Sequence, residues 1–380
     1  MNILVVSDVL ADEVNNGTDI ATVNLINYLK GRGDTVKVLC ANESKKDDPD
    51  YFVVPTLNLY MLNNYVKKNN VILASADKKI IDEALDFADH VHIMIALHLG
   101  IKTAQRAYER GLPVTAGFHM QAQNFSSHVF MQNNDRFNRA VYKYIYKHMF
   151  KYCDAIHYPT KFIQDIFEKN IKEKTNGYVI SNGINDYVLK YEVDKPKDFE
   201  DKIVILSTGR YSKEKDQITL LKAVNKSKYK ADILVVLAGQ GPVDKKYKKY
   251  AKRHKINHIF KFFGRKEIVD MINMADLYIH PALMELEGIA ALEAMCCGKC
   301  AIVSDSELAA PKLFAADESC IFKHHNPKDL ASKIDYFIEN KEEKKRIEDI
   351  YYNNRVTYDL DKCMEKMGEM IDEVYKNHKR

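Results

Sequence analysis

Short apolar runs separated by helix-length amphipathic segments, recurring from the first residue, leave this chain few folds to choose from. Residues 2–7 read as a strand buried on both faces. The loop Asp8 to Gly17 follows, then a helix over about 18–30 with an inward stripe at Ala21, Leu25, Tyr28 and Leu29, stopped by Gly31 and Gly33. Residues 35–41 form the next strand. A β–loop–α–β opening starts a doubly wound parallel sheet, in which ligands bind beyond the carboxyl ends of the strands. Asn15-Asn16-Gly17-Thr18 stands at that place. It lacks the full G-x-G-x-x-G pattern, so it makes no strong case for a dinucleotide.

The alternation continues with strands expected over 71–74, 90–95, 113–118, 155–158 and 178–181, and helices between them over 101–110 and 161–169. A polar stretch containing Lys195-Pro196-Lys197 then reads as a linker. A second α/β series follows, with strands over 203–208, 233–239, 258–263, 277–280, 300–304 and 320–322, and charge-rich helices over 327–352 and 358–378. At 380 residues two domains are the natural division. We expect a first domain over 1–187, a linker over 188–201, a second domain over 202–355 and a terminal helical segment over 356–380.

Composition narrows the class. With 46% hydrophobic and 29% charged residues the chain reads as soluble and globular, and no apolar run reaches the roughly 20 residues of a spanning helix. The first residues lack a basic region and a cleavage site, so a cytoplasmic protein is expected. Seven scattered cysteines fit reduced thiols. Cys297 and Cys300 have C-x-x-C spacing without a second ligand pair, which argues for packing and against a metal. A formal net charge of +4 is too small to imply nucleic acid.

The chemistry gathers at strand ends of the second half. After strand 277–280 comes an acidic loop with Glu285 and Glu287, then a helix-forming turn at Gly288-Ile289-Ala290, with Glu293 on the second helical turn. Amides at a helix N-terminus can hold a diphosphate, and two flanking carboxylates suit sugar hydroxyls. A surface acidic loop before an alanine-rich core helix would give the same letters, so spacing alone does not decide. Gly209 and Arg210, with Lys215, follow strand 203–208 and offer phosphate ligands. Gly239 and Gly241 follow strand 233–239, where glycine lets backbone come close to a ligand. Gly264 follows strand 258–263. Convergence of four strand ends is harder to dismiss than any one of them. In the first half His119 follows strand 113–118, at a place equally open to a structural and a functional role. The D-x-D pairs Asp48/Asp50 and Asp359/Asp361 are not at apolar strand ends and read as turns or a helix start.

Residues 136–152 carry Arg136, Arg139, Lys143, Lys147 and Lys151 at spacings of three and four, a basic stripe on one helical face. Tyr146 and Phe150 are expected to flank it, with Phe137, Val141, Ile145, His148 and Tyr152 on the opposite side. Such a stripe fits a helix lying on anionic lipid, and it equally fits a solvated face over a buried one. The lysine-rich stretch 244–255 reads more simply as a solvated face.

Taken together, the residues resemble the retaining family-4 glycosyltransferases of GT-B fold, over nearly the whole length. The resemblance rests on Glu285 and Glu293 in the E-x7-E element, Gly209-Arg210 with Lys215, Gly239-Gln240-Gly241-Pro242 and Ile180-Ser181-Asn182-Gly183-Ile184. It implies two Rossmann-like domains facing a cleft, with the C-terminal helix crossing back to the first domain. It further implies transfer of a hexose from a UDP-sugar with retention and without a metal or other cofactor. On that pattern Arg210 and Lys215 bind the diphosphate and Glu293 the ribose. Glu285 contacts the donor sugar, the amides at Gly288, Ile289 and Ala290 complete the cradle, His119 lies beside the transferred sugar, and Gly17 leaves room in the first-domain loop. The chain departs from many relatives in having Asn16-Gly17 in place of two glycines, and Leu286-Glu287-Gly288 in place of Pro-Phe-Gly. The second departure is similar to bacterial glycolipid synthases that glucosylate diacylglycerol. A lipid acceptor and a peripheral place on the inner face of the plasma membrane are therefore expected, a polysaccharide precursor or soluble acceptor being the alternative, and a non-catalytic nucleotide-sugar-binding protein a second.

Overall fold

The structure, a computed structural model, describes residues 1–8, 10, 17–57, 73–127, 131 and 134–379. Asn15 and Asn16 of the first loop and residues 71 and 72 of one expected strand lie outside the described residues. The chain divides into two compact units, Met1–Asn182 with Asp361–Arg380, and Gly183–Leu360.

In the first unit seven strands form one parallel sheet. They are β1 (Asn2–Val6), β2 (Thr35–Cys40), β3 (Tyr51–Val53), β4 (His90–Ile93), β5 (Val114–Gly117), β6 (Ala155–Tyr158) and β7 (Gly177–Val179), in the order β3-β2-β1-β4-β5-β6-β7. Ile3 to Val6 are completely buried, as an interior parallel strand covered by helices requires. β3 was not foreseen: three half-buried residues carry too little apolar signal. Ala74, from the expected strand 71–74, makes an isolated antiparallel bridge with Thr56.

The second unit has a six-stranded parallel sheet of β8 (Ile203–Thr208), β9 (Ile233–Ala238), β10 (Asn257–Lys261), β11 (Leu277–His280), β13 (Ala301–Ser304) and β15 (Ile321–Phe322). Its order is β10-β9-β8-β11-β13-β15. A two-residue parallel pair, β12 (Met284–Glu285) with β14 (Leu308–Ala309), stands apart from it. In both sheets the strand order reverses beside the first strand, between β1 and β4 and between β8 and β11. A crevice opens at such a reversal, beyond the carboxyl ends.

Two boundaries differ from expectation, those of the linker and of the helix over 327–352. Residues 188–201 are part of the second unit, not a free linker: Val188 is buried in its core, Tyr191 Oη donates to Asp270 and Lys195 pairs with Asp276 at 2.8 Å. The helix over 327–352 is two helices, Pro327–Glu339 and Lys341–Asn354. Between them Asn340 leaves helical geometry and its amide caps the Tyr336 carbonyl at 2.8 Å. The terminal helix, Leu360–Asn377, packs on the first unit through Cys363, Met364, Met367, Met370, Ile371 and Val374, one stripe at helical spacing. Arg32 Nη2 reaches Asp372 at 2.9 Å, and Gly368 gives the helix room against Arg32 and Tyr28.

Candidate active site at the second sheet's reversal

The loop after β8 is built by backbone. Gly209 donates to the Ala238 carbonyl at 2.9 Å and Tyr211 to the Gln240 carbonyl at 3.0 Å, which zips the loops after β8 and β9 together. A Cβ on Gly239 would run into the Gly209 carbonyl, and one on Gly241 into the Tyr211 backbone. Loop-on-loop packing therefore requires glycine at both positions. Gly209 differs: its φ of +132° needs glycine, and only the Lys215 and Gln217 side chains come near it. Gly264 is the N-cap of helix Arg265–Met274, its amide held by Glu267 at 2.9 Å.

Arg210 is 49% exposed and pairs with Glu214 at 2.8 Å. The Glu214 carbonyl accepts from Leu283 N at 2.7 Å, which fastens the loop after β11 to the loop after β8. That closure delivers Glu285 to Lys215. Glu285 Oε1 accepts from Lys215 Nζ and also from His280 Nε2, at 3.0 Å. Burial pushes the Glu285 carboxyl up, but Lys215 and His280 outweigh it and hold the group down at about 2. No other hydrogen bond to this carboxylate is formed among the described residues, so Oε2 is open.

Gly288 caps the helix Ile289–Cys296 in the left-handed region, φ +89°, where a Cβ would also meet Pro311 at 2.5 Å. The amides of Ile289 and Ala290 precede the helix's first internal bonds, and both residues are partly open to solvent. Glu287, beside them, is 3% exposed. Glu293 lies on the second turn with no hydrogen bond or ion pair to its carboxyl among the described residues. Burial raises its pKa to about 7.

Two family models match the chain: "Glycosyltransferase Family 4" over residues 15–187 and "Glycosyl transferases group 1" over residues 190–354. The chain belongs to the family-4 glycosyltransferases of GT-B fold. Among curated relatives it is 24% identical over 235 residues to an uncharacterized glycosyltransferase of Methanocaldococcus jannaschii, 61% of this chain and 63% of the relative. It is also 27% identical over 114 residues to the N,N'-diacetylbacillosaminyl-diphospho-undecaprenol alpha-1,3-N-acetylgalactosaminyltransferase of Campylobacter jejuni, 30% of each protein. The chain thus spans less than two thirds of the length of these curated relatives. A stretch of 41% of this chain is 40% identical to the catalytic domain of cholesterol-alpha-glucosyltransferase from Helicobacter pylori, covering 98% of that structure with a TM-score of 0.40. Sucrose-phosphate synthase from Thermosynechococcus elongatus superposes with a TM-score of 0.77 over 99% of each chain at 13% identity, which shows the shared fold.

The first unit of this family-4 chain carries the remaining residues singled out in the sequence. His119 follows β5. Its Nε2 is buried without a partner, its ring stands 5.5 Å from that of His157, and burial lowers its pKa to about 3, so it is neutral at pH 7. Gly117 leaves the space that the His119 ring fills. Gly17 begins the helix Gly17–Gly31, exposed, with nothing near a Cβ.

Residues 135–148 form the basic helix, Asp135–His148. Arg136, Arg139, Lys143 and Lys147 are exposed along it, while Lys151 lies beyond its end, on the turn Phe150–Tyr152. The inward line is Asn138, Tyr142 and Ile145, continued by Met149, not the line through Phe137, Val141 and His148. Phe150 does not flank the stripe: it is buried against Phe118 and Phe167. Tyr146 bonds to Glu173, and the aromatic that borders the cations in solvent is Tyr144, 56% exposed. Phe125, 48% exposed, belongs to the adjoining helix Ala122–Ser127, joined through Ser126 Oγ to Asn138 at 2.7 Å. No helix among the described residues is long and apolar enough to cross a membrane.

Sequence reasoning passed over His280. Its signal was there, an imidazole ending the otherwise apolar strand Leu277–His280, but its meaning depends on the loop closure that brings Glu285 back to it.

Proposed function

We propose that the chain transfers a hexose, glucose by preference, from a UDP-sugar to a membrane lipid such as diacylglycerol, with retention at the anomeric carbon. The observation that carries the donor half is Glu285. A carboxylate held by two donors on one oxygen and open on the other is built to accept hydroxyl hydrogen bonds from a hexose. The amides at Ile289 and Ala290, which precede the helix's first internal bonds, with Lys215 and the solvent-accessible Arg210, offer charge for a diphosphate. Glu293 then accepts from the ribose. When the bond between the anomeric carbon and the diphosphate oxygen breaks, negative charge grows on the UDP, and fixed cations and helix amides stabilise it there. The reading asks no metal to do this. His119, neutral at pH 7, keeps the role beside the sugar that the family resemblance gives it.

The acceptor half rests on the exposed cations of helix Asp135–His148, with Tyr144 and Phe125 beside them. Cations bordered by exposed aromatics suit an anionic bilayer, and a peripheral place on the inner face of the plasma membrane follows from that. The Campylobacter jejuni relative supports a second reading of the acceptor, since its name describes a sugar carried on diphospho-undecaprenol. Mass analysis of products from UDP-glucose incubated with diacylglycerol vesicles tests the proposal. A hexosyl-diacylglycerol is expected. UDP release only with a lipid-linked saccharide would overturn the diacylglycerol reading, and no binding of any UDP-sugar would overturn the donor reading.

A further inference from the structure

We propose that His280 is a positioning residue that keeps Glu285 in place while Lys215 changes partners; this rests on the donor reading above. Without ligand, Glu285 Oε1 takes hydrogen bonds from both Lys215 Nζ and His280 Nε2. An ammonium that turns toward a diphosphate gives up part of its hold on the carboxylate. A donor's phosphates draw Lys215 away, and Glu285 then depends on its second hydrogen-bond donor.

His280 is fitted for this. It is 2% exposed and ends β11, so packing fixes its ring. Its Nδ1 lies 3.5 Å from Tyr278 Oη, and that hydroxyl lies 2.6 Å from Thr208 Oγ1. Tyr278 and His280 alternate onto one face of β11, and Thr208 is the last residue of neighbouring β8. With Thr208 donating to Tyr278 and Tyr278 to Nδ1, an imidazole proton is kept on Nε2, aimed at Oε1. The row runs out of the sheet at its reversal and ends on Glu285, whose other oxygen is open. A buried polar row of this kind is costly unless each member is satisfied. An apolar side chain at 280 would fill the space and leave Glu285 with Lys215 alone.

The test compares UDP with UDP-glucose, UDP-galactose and UDP-N-acetylglucosamine by calorimetry, since Glu285 touches the hexose and not the nucleotide. In the wild type the preferred UDP-hexose binds more tightly than UDP. His280→Leu should lower affinity for that UDP-hexose about tenfold or more, the value of a hydrogen bond to a charged group, and change UDP affinity less than about twofold. His280→Gln, whose amide can still donate, should restore most of the loss. A His280→Leu protein that keeps the hexose increment, or loses UDP and UDP-hexose alike, overturns the proposal. So does a His280→Gln protein as impaired as His280→Leu with an unchanged melting temperature. The His280 tautomer, read from long-range 1H–15N correlations in the ligand-free protein, does not depend on donor binding. Nε2–H is expected, and an Nδ1–H ring overturns the positioning role. Failure of the wild type to bind UDP would instead defeat the donor reading, recognisably apart from the tautomer result.

Discussion

Replacing Glu293 by glutamine should stabilise the protein at alkaline pH and leave it unchanged in acid. The carboxyl is shifted by burial from 4.5 to about 7. Between those values the folded chain holds a proton that the unfolded chain has released, so stability falls as pH rises through the window and levels off above 7. At about 1.4 kcal/mol per tenfold change in proton affinity, the displacement is worth about 3 kcal/mol, and somewhat less because the side chain keeps some exposure. Glu293→Gln removes the ionised form and recovers that amount above pH 8. Below pH 4.5 both side chains are neutral and the difference vanishes. Asp8 in the first unit, raised to about 6 by burial despite amides from Leu99 and Gly100, has a pH dependence of the same sign, but it cancels between the two proteins. The chain has no tryptophan, so urea unfolding is followed by far-ultraviolet circular dichroism at several pH values. Hydrogen exchange in helix Ile289–Cys296 and β13 assigns the effect to the second unit. A glutamine protein that gains nothing at pH 9, or gains the same at pH 4 and pH 9, refutes the argument. In the wild type, UDP-glucose affinity should rise with pH through about 7 as Glu293 ionises to accept the ribose hydroxyls; the diphosphate diester has no proton to lose in that range.

Three further outcomes are expected. Lys215→Ala should weaken UDP-hexose binding by about tenfold to a hundredfold in calorimetry, as loss of a charged phosphate contact does, and free the Glu285 carboxyl to titrate above its present value of about 2. Gly288→Ala should destabilise the chain by about 2 kcal/mol or more in urea, through its φ of +89° and the contact with Pro311, whereas Gly17→Ala, with open space at its Cβ, should stay within about 0.5 kcal/mol. Lys143→Glu with Lys147→Glu should abolish sedimentation with anionic vesicles, since each cation near such a surface is worth about 1 kcal/mol; the wild type should be released by high salt and pass over neutral vesicles.

What the sequence disclosed follows from how each feature is encoded. Interior parallel strands are unbroken apolar runs, so β1, β8, β9 and β11 could be read without partners. β3 is short and half-buried, and its place at the sheet edge is decided by β2. The basic helix announced its cations, but its inward line was misplaced by one residue. The bonds of Asn138 to Ser126 and of Tyr142 to Gln123, which turn polar side chains inward, are not written in the spacing. Glu285, Glu293, Arg210 and Lys215 were legible as chemistry at strand ends. The packing requirement at Gly239 and Gly241 was not, because the atoms that exclude a Cβ belong to Gly209 and Tyr211 on another loop.

Some of the unfavourable local choices of this chain fall at the carboxyl ends of its two sheets. Ser7 and His119, just past β1 and β5, and His92 within β4, have buried polar atoms without partners. In the second unit Ser207 near the end of β8 does too, Glu293 is half-buried and unpaired among the described residues, and Asp216, right after Lys215, holds φ at +45°. Each would be removed at little structural risk by an apolar or glycine substitution if folding alone set the choice. Such features collect where a ligand supplies the missing partner, and strongly displaced carboxyls such as Glu285 and Glu293 do the same. The Glu293→Gln gain in alkaline stability, joined to a loss of UDP-hexose affinity, is the measurement that would tie the two together.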